Sequence, residues 1–190
     1  MSDLTIKHAG VSVAGNSAGS SISTGKRKLI TINPTLSAAA HGAGEVLFNS
    51  TELPDAVREE GGIAKLVAIT WVLETAVVSG GNDLELVFSE KAMANLGTQN
   101  SAPNITQDNF IAANPVGMVH IDSSDNDADF GAIAMGTCTA GNGSGSGPLM
   151  FLKADAGSTS VYVSGLAGSG IDINGDSDAT SFRLIFHIEY

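Results

Sequence analysis

The last ten residues of the chain, 181–190, read SFRLIFHIEY. Large apolar side chains occupy every second position of this stretch. Successive side chains of a β-strand point to opposite faces, so this alternation predicts a strand with one buried and one solvated face. The predicted buried face consists of Phe182, Leu184, Phe186, Ile188 and Tyr190, and the opposite face carries Arg183, His187 and Glu189.

Two stretches in the middle of the chain show related patterns. Asp83–Ser89 alternates in the same way, with its apolar positions predicted to point inward. Ile63–Val78 is apolar on both faces, which predicts a strand covered on both sides. A helix is the competing assignment for this run, but its Val, Ile, Thr and Trp residues favour a strand. Because the turn residues Ser79–Asn82 join the two stretches, the sequence predicts a hairpin.

Gly, Ser, Asn and Asp clusters separate short apolar runs along the rest of the chain, and Gly makes up 23 of the 190 residues. This pattern is typical of an all-β protein. We predict an antiparallel β-sandwich of about eight strands, with fewer than about 15% of residues in helix. The other predicted strands are Arg27–Asn33, Glu45–Phe48, Val116–Asp122, Phe130–Thr137, Leu149–Lys153 and Ser158–Ser164, and the predicted helical turns are Glu90–Leu96 and Gln107–Ala113.

The N-terminal stretch His8–Gly25 consists mostly of Gly, Ser and Ala. Such a stretch buries too little apolar surface to offset the entropy of ordering it. We therefore predict an extended Gly/Ser-rich arm over residues 1–25 and a β-sandwich domain over residues 26–190. Order in the arm must come from contacts with its own sheet or with a neighbouring subunit.

The charge distribution restricts the class of partner. The chain carries nine Lys and Arg against twenty Asp and Glu, a formal net charge of −11, and all of this excess lies in residues 66–190. Phosphate backbones are bound by clustered Lys and Arg, so we expect no nucleic-acid partner for the body of the protein. The sequence has no apolar run of about twenty residues, which predicts no membrane partner.

Met1–Leu4 lacks the basic and apolar regions of a secretory leader, so we expect a protein made and kept inside a cell. The single cysteine, Cys138, excludes an internal disulfide and is expected to be a buried, inert thiol.

One sequence motif is similar to a catalytic pattern. Gly15–Gly19 (GNSAG) matches the G-x-S-x-G bend that exposes a nucleophilic serine between a strand and a helix. No helix follows Ser17 and only fourteen residues precede Gly15, so the match indicates an arm rather than a hydrolase.

The basic cluster Lys26–Lys28 follows Gly25, as at the end of a phosphate-binding loop. Arg27 stands where such a loop needs a magnesium-binding Ser or Thr, which excludes that function. The favoured interpretation is a solvated guard at a strand edge.

Two acidic runs are candidate cation sites. Asp172–Asp178 places side-chain oxygens at alternate positions, as half of a calcium loop does. Ser177 stands where that loop needs Gly, and Arg183 where it needs a bidentate Glu, so a hairpin turn is the favoured interpretation. Asp122–Asp129 is interpreted as a solvated loop, with a cation site as the alternative.

No ligand-like spacing relates the four histidines, which are His8, His41, His120 and His187. The tract Gly141–Pro148 lacks the strand–helix context of a nucleotide-binding loop and is interpreted as a loop tip. We therefore predict no catalytic residue, no metal site, no cofactor and no enzymatic activity.

The segments from residue 54 onward follow one another in a distinctive order. They are Leu53–Val57, Gly61-Gly62, Phe88–Ala92, Ile105–Ala113, Val116–Asp122, Gly131–Gly136, Leu149–Leu152, Val161–Val163 and the alternating terminal strand. Over residues 54–190 this order and composition resembles small virion structural proteins of tailed bacteriophages, particularly head-associated proteins of the decoration or cement type.

The resemblance implies a β-sandwich, jelly-roll-like in its connections, that binds in many copies to a capsid lattice. The implied partners are the major capsid protein and copies of the protein itself, and the implied location is the virion after synthesis in the host cytoplasm. A sandwich can seal a crevice of the shell while the arm adds backbone pairing to a neighbour, and many weak contacts sum by avidity.

Two other functions remain open at this stage. One is a carbohydrate-binding sandwich that uses Trp71, Tyr162 or the acidic loops, although aromatic residues make up only 5% of the chain. The other is a small capsid protein that encloses nucleic acid, which calls for a basic arm that residues 1–25 do not provide.

Overall fold

The computed structural model describes residues 6–8, 11–13, 27–37, 39–74, 83–122, 127–130, 133–139, 150–171 and 182–190. Among the described residues helix accounts for 5% and no helix reaches seven residues, while two antiparallel sheets pack as a sandwich. The predicted all-β sandwich and its low helix content are therefore confirmed.

The sandwich consists of a six-stranded and a four-stranded sheet. The six-stranded sheet contains β3 (Arg27–Ile32), β5 (Ile63–Glu74), β8 (Asp127–Asp129), β9 (Ile133–Thr139), β10 (Met150–Lys153) and β12 (Phe182–Glu189). The four-stranded sheet contains β4 (Val46–Leu53), β6 (Leu84–Ser89), β7 (Pro115–Ile121) and β11 (Val161–Ala167). Outside the sandwich sheets lie the paired strands β1 (Ile6–His8) and β2 (Val11–Val13) and the helix α1 (Gln107–Ala112).

The strand order within each sheet identifies the topology. One sheet runs β3-β12-β5 and continues with β9 and β10, which pair with successive halves of β5; the other runs β4-β11-β6-β7. The chain thus changes sheet at most connections, and its last strand inserts between β3 and β5. An order of β3-β12-β5-β10 facing β4-β11-β6-β7 is that of a jelly roll, a double-sheet fold made of two Greek keys.

The inward side chains of β12 form the centre of the core, as the alternation predicts. Phe182, Leu184, Phe186 and Ile188 are all buried. Aromatic contacts connect β12 to the opposite sheet: Phe186 meets Phe88 of β6 edge-on at a centroid distance of 5.9 Å, and Phe182 meets Phe48 of β4 at 6.1 Å. Such contacts add to area burial and fix how the two sheets stack.

One prediction about Ile63–Val78 is wrong. The run does form a strand, β5, over residues 63–74, but β5 and β6 lie in opposite sheets, so they do not form a hairpin. The predicted burial of both faces holds for the middle of β5, where the outward side chains of Ala68 and Thr70 are buried. At the start of the strand the outward residues Ile63 and Lys65 are exposed.

The segment between β6 and β7 covers the outside of the four-stranded sheet. Its Met93, Leu96 and Ala113 form a small second core with Val46 of β4. Both polar atoms of the Asn49 side-chain amide bind this segment. Oδ1 accepts a hydrogen bond from Leu96 N at 2.7 Å, and Nδ2 donates one to Gly97 O at 3.0 Å.

Of the two predicted helical turns, one is right and one is wrong. Residues 107–112 form α1, whose N-cap Thr106 accepts a hydrogen bond from Asn109 N. Glu90–Leu96 is not helical, because its backbone amides bond to groups outside the segment. Met93 N donates to Ser50 Oγ of β4, and the amides of Glu90 and Lys91 donate to the carbonyl oxygens of residues 114 and 113.

The described part of the predicted arm is a short hairpin. Residues 6–8 pair antiparallel with residues 11–13 in a two-stranded sheet of their own. This part of the arm therefore doubles back on itself locally. Residues 14–26 lie outside the described residues.

Candidate docking face

The candidate docking face is the side of the six-stranded sheet that points away from the core. We call it the outer face and define it by the outward residues of β12, namely Arg183, Ile185, His187 and Glu189, together with the outward residues of β3, β5, β9 and β10. The described residues include eight large apolar side chains that are exposed, and five of them lie on this face: Leu29, Ile63, Ile133, Met135 and Phe151. Phe151 and Ile63 lie near one end of the face, Met135 and Ile133 near the other, and Leu29 on the edge strand β3.

The middle of the outer face is held by a short chain of polar contacts. Thr70 of β5 is nearly buried, and its Oγ1 lies 3.0 Å from Thr137 Oγ1 of β9 and 3.1 Å from His187 Nε2 of β12. Antiparallel pairing places these three residues side by side. The contacts tie three strands together at the centre of the face.

Two neighbouring rows of the outer face contain no Asp, Glu, Lys or Arg. One row contains Leu29, His187, Ala68 and Thr139, and the next contains Thr31, Ile185, Thr70 and Thr137. Burying an ionised side chain is costly. Aliphatic groups, and hydroxyls that are hydrogen-bonded, can be buried at little cost. The centre of the face is therefore well suited to contact with another surface.

Charged residues lie beyond these two rows, towards the two ends of the strands. One end carries Arg27, Lys65 and Glu189, with Arg27 Nε 4.0 Å from Glu189 Oε2. The other end carries Arg183, whose Nε donates to Asn33 Oδ1 at 3.0 Å, and Glu74. An uncharged centre with a charged rim is the usual anatomy of a protein interface.

The strands of the opposite sheet differ in charge. They contain Glu52 and Glu85 but no Lys or Arg, and His120 Nδ1 lies 3.9 Å from Glu85 Oε1. The segment 90–114 already covers part of this sheet through its own small core. The outer face of the six-stranded sheet is therefore the better candidate for docking among the described surfaces.

The rejected motif Gly15–Gly19 with Ser17 lies outside the described residues, as do Gly25 and Lys26. The rest of the basic cluster lies on β3. Lys28 Nζ donates to the carbonyl oxygens of Pro54 and Asp55 at 2.9 and 3.1 Å, so this lysine fastens the 54–62 loop to the sheet. Lys28 thus has a structural contact that the sequence pattern did not indicate.

The acidic runs are only partly described. Asp172–Asp178 and Asp125 lie outside the described residues, Asp127 and Asp129 belong to the backbone of β8, and Asp122 is exposed after β7. Within the described residues, no group of three or more His, Cys, Asp or Glu side chains is arranged to hold a metal ion.

The histidines are not brought together among the described residues. His41 is buried in the loop before β4, where burial lowers its pKa and favours the neutral ring. His120 is exposed on β7 and His187 lies on the outer face, while His8 belongs to β1. Burial also raises the pKa of the Cys138 thiol, which disfavours the reactive thiolate.

The ring expected to serve as a carbohydrate platform is not accessible. Trp71 has no exposed surface and belongs to the main core, and Tyr162 is half-buried on β11 between Glu52 and Ser89. Stacking on a sugar requires an exposed ring, so Trp71 cannot perform that role.

A shallow hollow of about 220 Å³ lies beside the outer face, lined by Arg58, Glu59, Gly62, Ile63 and Tyr190. Tyr190 closes one side, with its hydroxyl donating to Asp55 O at 2.8 Å. Small-molecule sites usually enclose about 300–1,000 Å³, so this hollow is smaller than a typical ligand pocket. Gly141–Pro148 lies outside the described residues.

No family model and no curated protein matches the chain. No helix in the described ranges is both long and apolar enough to cross a bilayer.

Proposed function

We propose that the protein is a structural virion protein of a tailed bacteriophage, of the capsid decoration or cement type. It acts by docking rather than by chemistry, and it has no resident cofactor. Its partners are the major capsid protein and further copies of itself, without nucleic acid or membrane. It is made in the host cytoplasm and resides in the virion.

The observation that carries this proposal is the combination of a jelly-roll scaffold with the uncharged centre of the outer face. Jelly rolls are frequent in viral shells, but they also occur in lectins and cupins, so the fold alone does not decide between functions. A cupin-like enzyme needs a cluster of metal ligands, which the described residues lack. The hydroxyl and aliphatic groups at the centre of the outer face support contact with another protein surface.

The N-terminal arm supplies the second element of the proposed docking mode. Residues 14–25 are rich in Gly, Ser and Ala and directly precede β3, an edge strand of the six-stranded sheet. An edge strand presents unpaired backbone groups, and an extended segment can add to such an edge in a neighbouring molecule. Backbone pairing tolerates a Gly/Ser-rich sequence because it does not depend on side chains.

Removal of the arm tests this proposal. A truncated chain that begins at Lys26 retains every strand of both sandwich sheets, so we expect a β-rich circular dichroism spectrum and a cooperative melt. We expect its binding to capsids that lack the protein to be at least about tenfold weaker, because avidity from the arm is lost. Binding is measured by co-sedimentation with the capsids.

The Ser17→Ala variant is the matched control, since it leaves the arm in place and removes one hydroxyl. It should bind like the wild type. Undiminished binding of the truncated chain would show that the arm is not a clamp, and failure of that chain to fold would show that the arm is an integral part of the sandwich.

A further inference from the structure

We infer that the outer face is a two-fold interface between copies of this chain, in which the six-stranded sheets stack face to face with their β12 strands antiparallel. This deepens the proposed function by naming which surface joins the copies. Its test uses purified protein without capsids, so its failure and the failure of the proposed function can be distinguished.

The charge pattern along β12 is the first argument. Arg183 and Glu189 lie at opposite ends of the outward row of this strand, with Ile185 and His187 between them. A two-fold axis that lies in the interface and crosses β12 at right angles between Ile185 and His187 reverses the strand direction. It therefore places Arg183 of each copy opposite Glu189 of the other, and the contact occurs twice.

The neighbouring strand β5 repeats this arrangement. Lys65 lies at the same end as Glu189, with which it is paired in register, and Glu74 lies at the other end, just beyond Arg183. The same axis brings Lys65 of one copy near Glu74 of the other, within the reach of a long lysine side chain. The charges of β12 and of β5 are thus both complementary when the two copies stack antiparallel. Parallel stacking would instead place like charges opposite each other.

Apolar groups support the same geometry. Reversal about this axis brings Phe151, paired beside Lys65 on β10, over Met135, paired beside Val72 on β9. Both side chains are large and exposed, at 55% and 40%. The uncharged rows in the middle then cover each other.

The size of the face sets the expected strength. The face is four strands wide, because β9 and β10 share one edge of β5. Strands spaced about 4.8 Å apart and six residue steps of about 3.3 Å give about 20 by 20 Å, or about 25 by 25 Å with side chains included. This footprint is somewhat smaller than the roughly 800 Å² per partner of a standard interface. We therefore expect a dimer with a Kd in the micromolar range, which multiple contacts on a lattice would strengthen. Twisted sheets stack well when their strands are nearly aligned, as in the protein's own sandwich.

A charge-swap experiment tests the interface. Arg183→Glu places like charges opposite each other twice in a homodimer, and so does Glu189→Arg. We expect each variant alone to dimerise at least about tenfold more weakly than the wild type in sedimentation velocity. An equimolar mixture of the two variants restores both attractive contacts, so the mixture should form heterodimers with an affinity near that of the wild type.

A second pair of variants tests the uncharged rows of the outer face. Leu29→Glu introduces a charge at a residue that is 61% exposed on the outer face, and Met118→Glu does so at a residue that is 57% exposed on the other sheet. Both exposed sites should tolerate the change, which thermal melts check. Leu29→Glu should weaken dimerisation at least about tenfold, and Met118→Glu should leave it unchanged.

Several results would overturn the inference. A wild type that stays monomeric up to about 200 μM would do so, because a micromolar Kd predicts mostly dimer there. In that case, weaker capsid binding by Leu29→Glu would assign the face to the shell protein, and dimerisation of the chain that begins at Lys26 would assign it to the arm. Wild-type dimers unaffected by Arg183→Glu, Glu189→Arg and Leu29→Glu would place the interface elsewhere.

Discussion

Replacement of Phe186 by Ala is expected to lower the free energy of unfolding by about 3–5 kcal/mol, a large fraction of the total stability of a domain. Phe186 has no exposed surface and lies in the middle of β12, which is paired between β3 and β5. Its ring packs edge-on against Phe88 of the opposite sheet at 5.9 Å. The substitution removes both the buried area and the contact between sheets, and rigid strands on either side prevent the cavity from closing.

Urea unfolding followed by circular dichroism measures this loss. Phe130→Ala is the matched control, because the same atoms are removed from a side chain that is 66% exposed. It should change stability by less than about 0.5 kcal/mol. A small effect of Phe186→Ala, comparable to that of the control, would mean that β12 is not the central strand of the core.

A single methyl group at Gly165 is expected to destabilise the fold by about 3 kcal/mol. Gly165 lies on β11 opposite Phe48 of β4, at an irregularity in the register. A Cβ at this position would lie 2.1 Å from Phe48 Cε1 and 2.6 Å from Cδ1. The Phe48 ring is buried against Phe182 and cannot swing away without disturbing the core.

Gly170→Ala provides the control for this prediction, since the nearest atom to its added Cβ, His41 O, is at an ordinary 3.8 Å. A double-mutant cycle with Phe48→Ala identifies the cause of the Gly165→Ala effect. Once the ring is absent, adding the methyl group should cost little, which gives a coupling of at least about 2 kcal/mol. Additive effects would show that the ring contact is not responsible.

Local alternation along the chain predicted the strands and their buried faces well. The inward positions of Asp83–Ser89 and of the terminal strand are buried as expected except for Tyr190, which is half-buried, because side-chain period depends only on neighbouring residues. The connection from β5 to β6 was mispredicted because turn residues do not indicate whether the next strand pairs in the same sheet or crosses to the other. The Glu90–Leu96 helix was mispredicted because its competing partners, Asn49 and Ser50, lie on β4, far away in sequence.

The outer face could not be found from the sequence. Thr70, Thr137 and His187 are separated by up to 117 positions and meet only through the pairing of β5 with β9 and β12. None of these residues belongs to a motif, and each is unremarkable in its own segment. Only the register of the strands brings together the uncharged rows and the charged ends of the face.

The composition of purified virus particles tests the central claim most directly. If the protein is a capsid decoration protein, particles washed free of unbound material should contain it in a fixed ratio to the major shell protein, with many copies per particle. Quantitative mass spectrometry of intact particles and of isolated heads and tails measures this ratio. Absence from washed particles, despite abundant protein in the infected cell, would contradict the account, and so would a few copies confined to tails.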